Sequence, residues 1–288
     1  GGGITGKFEN TGTVTVEAED PDGVIKIECQ NKGQFNIRSD VEYIHEFAHR
    51  YVPGEFGGIN PFDTPTGVRL SNASIRPAAE GAGVLIFEGG TELYVEEGDN
   101  FLEFSESDEN LFAAGLRLSE GANLHLKNAQ LGHSSGGFTE SKEWRIPENA
   151  TLTLEDTTCD LLRVTGQGEV IVNGYLDSKY EGDDLHYSSP RGVRFGGRFY
   201  GSSEPPKFPA VILETEVVRL EDVEIKATAA MAANTVLFSI RPRSELNYET
   251  LEEEIKPGET VELEGVSIGP QAQLHLGNRN FRSSSPIT

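Results

Sequence analysis

The stretch His45-Glu46-Phe47-Ala48-His49 has a spacing that metal chemistry can use. On a helix, residues four apart share a face, so both imidazoles would turn toward one zinc ion while Glu46 acted as general base. Asp40 stands where it would cap such a helix and Pro53 where it would end one that runs to Tyr51. Against this, Arg50 places a positive charge beside the motif, the surrounding chain lacks the mixed α/β setting of zinc peptidases, and a third ligand would have to come from a neighbour such as Glu55. His45, Glu46 and His49 are therefore the metal candidates of a zinc-peptidase reading, and the expectation is that they bind no zinc.

A second constellation is Arg191-Gly-Val-Arg194-Phe195-Gly-Gly-Arg198-Phe199-Tyr200, a basic aromatic patch. Such a patch in isolation suggests RNA, but the whole chain carries 47 acidic against 24 basic side chains and a formal net charge of −23. Phosphates would be repelled, which excludes a nucleic-acid partner. An acidic protein surface suits the patch better, and another copy of this chain offers one. Between Gly83 and Phe112 there is no Lys or Arg, while Glu88, Glu92, Glu96, Glu97, Asp99, Glu103, Glu106, Asp108 and Glu109 are all acidic. Calcium is the cation such a block would hold, but the D-x-[DN]-x-[DN]-G loop is absent, so a solvated face is expected and no cofactor.

Two sequons, Asn72-Ala73-Ser74 and Asn149-Ala150-Thr151, make Asn72 and Asn149 glycan acceptors in an exported protein. The chain opens on Gly1-Gly2-Gly3 without Met, as expected of a mature product or a fragment. No run approaches the ~20 apolar residues of a membrane span, so no transmembrane segment is expected.

The elements that would position these residues follow from a repeated template: apolar, three variable residues, a small residue, one variable, then apolar-x-apolar. Clear copies start at Phe8, Cys29, Leu118, Ile146, Val164 and Ile268, and looser ones at Phe62, Phe87, Ile212 and Ile255. Their apolar pairs are Val14/Val16, Phe35/Ile37, Val68/Leu70, Leu93/Val95, Leu124/Leu126, Leu152/Leu154, Val170/Val172, Val218/Leu220, Val261/Leu263 and Leu274/Leu276. With 36% of residues hydrophobic, full pairs in every copy exceed chance. Alternation puts each pair on one face of a short strand and the residue between them on the other. Those outward residues are Thr15, Asn36, Arg69, Tyr94, His125, Thr153, Ile171, Arg219, Glu262 and His275. A single carboxylate in that row is poor material for paired acid/base catalysis. One such strand cannot bury its face alone, and stacking copies in parallel about 4.8 Å apart builds a common core.

Five copies continue into a second signature, as in Val68-Arg-Leu-Ser-Asn72, Leu124-His-Leu-Lys-Asn128, Leu152-Thr-Leu-Glu-Asp156, Val218-Arg-Leu-Glu-Asp222 and Val261-Glu-Leu-Glu-Gly265. Short Asn and Asp side chains satisfy backbone groups at a turn and tolerate the left-handed conformation. From Phe8 to Asn278 these segments resemble coils of the pectin-lyase-like right-handed parallel β-helix superfamily. The resemblance implies that Asn72, Asn128, Asp156 and Asp222 are stacked corner residues. It also implies that a polysaccharide-cleaving relative would work on a groove along one parallel sheet with Asp, Arg or Lys, with calcium in many lyases.

The sequence thus predicts an all-β fold: one parallel β-solenoid domain over residues 1–288, in the form of a right-handed β-helix, with two projecting loop insertions at 39–61 and 176–209. The function expected is that of an extracellular or cell-surface structural protein, a self-assembling subunit of a surface layer, appendage or filament, or an adhesin, more a non-enzyme than an enzyme. A polysaccharide lyase or hydrolase is the alternative, and a zinc metallopeptidase the third reading. Partners are the protein itself and glycans. Assembly residues are Arg191, Arg194, Phe195, Arg198, Phe199 and Tyr200, meeting the acidic Gly83–Phe112 region of a neighbour. Both tails, before Phe8 and from Arg279 to Thr288, are expected to be mobile in a lone monomer, and Cys29 and Cys159 to be buried free thiols.

Overall fold

The computed structural model describes residues 5–11, 13–17, 24–31, 34–38, 42–45, 49–51, 67–78, 83–106, 110–131, 142–159, 162–178, 185–187, 192–200, 211–215, 217–226, 235–242, 244–247, 252–255, 261–270, 272–277 and 281–288. They hold strands and turns and no helix, so none is long and apolar enough to cross a membrane. The fold is an all-β parallel solenoid, and the chain groups into two compact units, Gly1–Glu140 and Ser141–Thr288.

In the first unit, strands Thr13–Glu17, Gln34–Arg38, Gly67–Ser71, Glu92–Val95 and Gly115–Leu118 stack as one parallel sheet. Val14, Phe35, Val68, Leu93 and Leu116 form one inward column, and Val16, Ile37, Leu70, Val95 and Leu118 the next. Four predicted pairs therefore stack in the predicted register. Val68, Leu70, Ile37 and Leu93 are fully buried. Each such aliphatic contributes about 1.5–3 kcal/mol relative to exposure. The fifth predicted pair belongs elsewhere. Leu124 and Leu126 lie opposite Asn100 and Leu102 on the next side of the coil, because Leu116 and Leu118 take the place above Leu93 and Val95.

That next side runs through strands Thr5–Asn10, Val24–Asn31, Glu42–His45 with His49–Tyr51, Ser74–Pro77 with Leu85–Phe87, Asp99–Glu103 with Leu111–Phe112, and Asn123–Lys127 with Gln130–Leu131. Aromatic rings line its interior. Tyr51 stacks on Phe87 at 4.6 Å, and Phe87 meets Phe112 at 5.2 Å. Buried asparagines close the backbone where coils turn. Asn100 accepts from the Ala73 N–H and donates to the carbonyls of Glu97 and Gly98, and Asn110 accepts from the Leu85 N–H.

The second unit repeats the plan. Strands Lys142–Ile146, Leu162–Gly166, Leu185–Tyr187, Val211–Leu213, Thr235–Ile240 and Ala272–His275 form one parallel sheet. Thr151–Cys159, Glu169–Ser178, Gly192–Tyr200, Val218–Lys226, Val261–Glu264 with Ser267–Ile268, and Phe281–Ser283 form the other side. Leu152, Val170, Val193, Val218, Val261 and Phe281 share one inward column. An antiparallel hairpin, Ser244–Asn247 with Glu252–Ile255, interrupts the coil between 240 and 261. The copies starting at Ile255 and Ile268 are too close in sequence for a full coil and are expected on neighbouring strands, and Leu274 indeed lies opposite Phe238 in the other sheet. The same expectation for the copies at Ile146 and Val164 fails, since Leu152 stacks on Val170.

All five residues of the second signature adopt positive φ: 49° at Asn72, 54° at Asn128, 50° at Asp156, 53° at Asp222 and 62° at Gly265. In the second unit, Asp156, Gly174, Gly197, Asp222 and Gly265 turn successive coils in the left-handed region. They lie so close that a Cβ on Gly265 would run into the Asp222 carboxylate and one on Gly197 into the Gly174 carbonyl. In the first unit the signature marks two different corners. Asn72 turns the chain from Gly67–Ser71 into Ser74–Pro77, whereas Asn128 lies between Asn123–Lys127 and Gln130–Leu131.

Three expectations change. Within 39–61, strands Glu42–His45 and His49–Tyr51 are part of the coils, and Tyr43 and Tyr51 are buried; residues 52–61 lie outside the described set. Within 176–209, Leu185–Tyr187 and Gly192–Tyr200 are coil strands rather than a projecting loop. The C-terminal segment from 281 to 288, expected to be mobile, follows the coil beneath it. Phe281 to Ser283 pair with Val261 to Leu263, the Ser284 N–H donates to the Leu263 carbonyl, and the Ile268 N–H donates to the Thr288 carbonyl. An exposed strand edge offers backbone donors and acceptors whatever side chains the incoming strand carries, which is why a polar tail docks.

Candidate functional site

The His45–His49 segment does not form the helix its motif requires. His45 ends one strand, opposite Ile25 and Pro77, and His49 opens another, opposite Cys29 and Leu85. Glu46 and the two histidine side chains lie outside the described residues. The physical cause is aromatic burial. Tyr43 and Tyr51 both pack edge-on to Phe35, at 5.5 and 6.1 Å, each delivered to the core by its own strand. No group of three or more His, Cys, Asp or Glu is arranged to hold a metal among the described residues.

The basic aromatic patch is likewise taken apart by alternation along Gly192–Tyr200. Phe195 and Phe199 point inward and are 0% exposed, meeting Phe238 edge-on at 4.8 and 5.1 Å. They are core residues and not assembly contacts, a correction to the sequence reading. Arg194 and Arg198 point outward, toward Glu169 at 3.3 Å and Glu224 at 3.6 Å. Arg191 and the Tyr200 side chain lie outside the described residues. The template passed over this coil, although Tyr187, Val193 and Phe195 fit its apolar positions as well as the looser copies at Ile212 and Ile255 do.

Two outward clusters remain. In the first unit, the outward column is Thr15, Asn36, Arg69, Tyr94 and Arg117. The Tyr94 ring lies between two guanidinium groups, with Arg69 4.6 Å and Arg117 5.8 Å from its centroid. Arg69 also pairs with Glu96 at 2.7 Å, and Arg117 with Glu92 at 3.2 Å. Partial burial, with Glu92 next in weight, holds the Tyr94 hydroxyl above the usual tyrosine pKa, and the two arginines pull the other way. The acidic block thus finds its cations on neighbouring coils: Glu88 meets Arg50 at 2.8 Å and Glu103 meets Lys127 at 3.9 Å. On the adjoining side, Phe101 lies between Arg76, at 4.4 Å, and His125, at 4.7 Å.

In the second unit, a cleft of about 220 Å³ is lined by Arg219, Glu221, Glu262, Glu264, Arg282 and Ser284 over the backbone of Leu220 and Leu263. Arg219 and Glu262 pair across coils at 2.9 Å. Arg282 stands one coil beyond Glu262, and Glu221 faces Glu264 across the ladder. Sequence reading placed Arg219 and Glu262 on this face but missed Arg282, which lies in the stretch treated as tail. His275 is in contact with Ser239, 3.4 Å from its hydroxyl, on the other sheet.

Asn72 is half-buried at its corner, whereas Asn149 is exposed in the turn before Thr151–Cys159. Set against known proteins, the chain matches no family model, no curated protein and no solved structure.

Proposed function

We propose that this chain is a non-catalytic structural subunit, exported to the cell surface or beyond, whose coils add to those of further copies. The observation that carries this reading is the state of the core column at its outermost coils. Val193, Val218 and Val261 are at most 2% exposed, yet Phe281, next in the same column, is 55% exposed, with Ile287 nearby in sequence at 42%. At the first coil of the other unit, Val14 and Val16 are half-buried, while Phe35 and Ile37 beneath them are buried. Among the described residues no strand pairs with the outer edge of Phe281–Ser283. One more parallel coil would cover that apolar column and pair that edge, and either further chain or a second copy would supply a coil of the same kind. A contact between unlike surfaces is heterologous, and one whose rotation does not close grows into a filament. The outward arginines support the same reading, since their ion pairs join neighbouring coils and hold them in register. The pectin-lyase-like β-helix is the fold family that fits this architecture.

Light scattering and negative-stain imaging of residues 1–288 test the proposal. Concentration-dependent polymers are expected, and Phe281→Asp should leave a folded monomer. A wild-type chain that remains monomeric at high concentration would sink it.

The cleft favours a second reading, hydrolysis of a polysaccharide. Glu221 and Glu264 lie opposite each other on neighbouring coils, and a pair of carboxylates flanking the scissile bond is what glycoside hydrolysis uses. Release of reducing ends from an acidic glycan, abolished in Glu264→Gln, would establish it in place of the first.

A further inference from the structure

We propose that Asn149 is a glycan attachment site, and that Asn72, the other sequon asparagine, must stay unmodified for its coil to close. This rests on the export part of the functional reading and not on self-association. Both asparagines have the left-handed backbone that suits a turn, with φ of 49° at Asn72 and 62° at Asn149. Their surroundings differ. Asn72 sits inside the ladder: its own N–H donates to the Glu97 carbonyl at 3.0 Å, and its side-chain oxygen lies 2.8 Å from where a Cβ on Gly98 would stand. Gly98, itself at φ 68°, is the corner of the next coil. The Asn72 side chain is packed against the backbone of that coil through its Cβ, Cγ and Oδ1, and a sugar joined to its amide would crowd that packing.

Asn149 belongs to the turn Pro147-Glu148-Asn149-Ala150, closed by the Ala150 N–H on the Pro147 carbonyl at 3.2 Å. The inner side of this turn is filled by backbone from the following coil: the N–H groups of Gln167 and Gly168 donate to the Ile146 carbonyl, and that of Glu169 to the Ala150 carbonyl. Gly168 permits this approach, since a Cβ there would collide with the Ala150 and Pro147 carbonyls. With the inner side occupied, Glu148 and Asn149 are exposed to solvent and Ala150 is fully buried. A glycan on Asn149 therefore projects outward without displacing a coil. The ligand class is an N-linked oligosaccharide, transferred to the carboxamide nitrogen while the chain is still extended; the nitrogen loses a proton and the lipid pyrophosphate carrier leaves.

The test fuses a secretion leader to residues 1–288, expresses the chain in a eukaryotic host, and maps glycopeptides of the secreted protein by mass spectrometry. The leader exports the chain wherever it natively resides, so the result is independent of self-association, which light scattering reads separately. Occupancy is expected at Asn149 and none at Asn72. Thr151→Ala, which removes the sequon and leaves the left-handed residue in place, should abolish the glycan without changing the melting temperature. Asn149→Gly should do the same. If the wild type is not secreted, Ser74→Ala must restore secretion by closing the Asn72 sequon. A folded secreted protein glycosylated at Asn72, an empty Asn149, or failure of Ser74→Ala to rescue secretion would each overturn the proposal.

Discussion

Phe195 decides between the two accounts of residues 192–200, and its truncation can be worked through in numbers. As a loop residue, Phe195→Ala would move stability by no more than about 0.5 kcal/mol. In the structure Phe195 is 0% exposed, lies between Val172 and Leu220 in its column, and meets Phe238 edge-on at 4.8 Å and 88°. Removing a buried phenyl ring costs about 3–5 kcal/mol, because the transfer free energy and the cavity both count against the fold. For a unit of this size, about 2–4 °C of melting temperature corresponds to each kcal/mol, so a fall of roughly 6–20 °C is expected. Arg198→Ala serves as the internal control. Its side chain is 63% exposed and its pair with Glu224 is 3.6 Å long, so its loss should cost at most ~1 kcal/mol. Thermal unfolding followed by circular dichroism, with urea melts at fixed temperature alongside, reads both variants. If Arg198→Ala proves as damaging as Phe195→Ala, the inward and outward assignment of the whole strand is wrong.

Three further outcomes follow from the same geometry. Gly265→Ala should destabilise by at least ~1–2 kcal/mol, because its φ of 62° disfavours any Cβ and the Asp222 carboxylate occupies the place where one would go; Asp222→Gly keeps the left-handed residue, and chemical denaturation should show it to be the milder change. Tyr94 has its pKa raised in the folded state, so its contribution to stability is fully present below the unfolded tyrosine value and is lost as pH rises through the folded one; melts from about pH 9 upward should show the wild type losing more stability than Tyr94→Phe. Cys159 is 1% exposed, so a thiol reagent should modify it only after denaturant is added, and rapid labelling of the native protein would contradict its place in the core.

Where the sequence spoke clearly, it did so through alternation. Val14/Val16, Phe35/Ile37, Val68/Leu70 and Leu93/Val95 stack as their pattern predicts, since a one-residue slip would turn every pair to solvent. The corner residues were legible for the same kind of reason, as few side chains tolerate positive φ. What the pattern could not supply was which corner each one turns. Asn72 and Asn128 share a signature yet follow different sides of the coil, because the backbone need at both corners is identical. Val193-Arg194-Phe195 carries the same apolar alternation, but its flanking arginines drew it into a basic patch instead. The H-E-x-x-H segment misled by its own logic: its spacing counts residues as if they were helical, whereas the tyrosines at 43 and 51 count them as strand.

Outward chemistry was the least legible part, and the cause is the variable length of the coils. Arg69 and Glu96 are 27 residues apart, Arg117 and Glu92 are 25, Arg194 and Glu169 are 25, and Arg219 and Glu262 are 43. No fixed spacing links these partners, so a block such as Gly83–Phe112 reads as a bare run of acid, although several of its carboxylates lie beside cations from the coils before and after it. The backbone register tolerates that variation because each ladder needs only its own residues aligned, and the number of residues between ladders differs from coil to coil. The same tolerance separates what can vary from what cannot. A coil admits the hairpin between 240 and 261 and still delivers Val261 onto Val218, while a single methyl group at Gly197 would meet the Gly174 carbonyl. An outward site in this protein is therefore assembled by register across coils, as the cleft around Glu262 is by Arg219 from one neighbouring coil and Arg282 from the other, and only once the coils are stacked does it come into being.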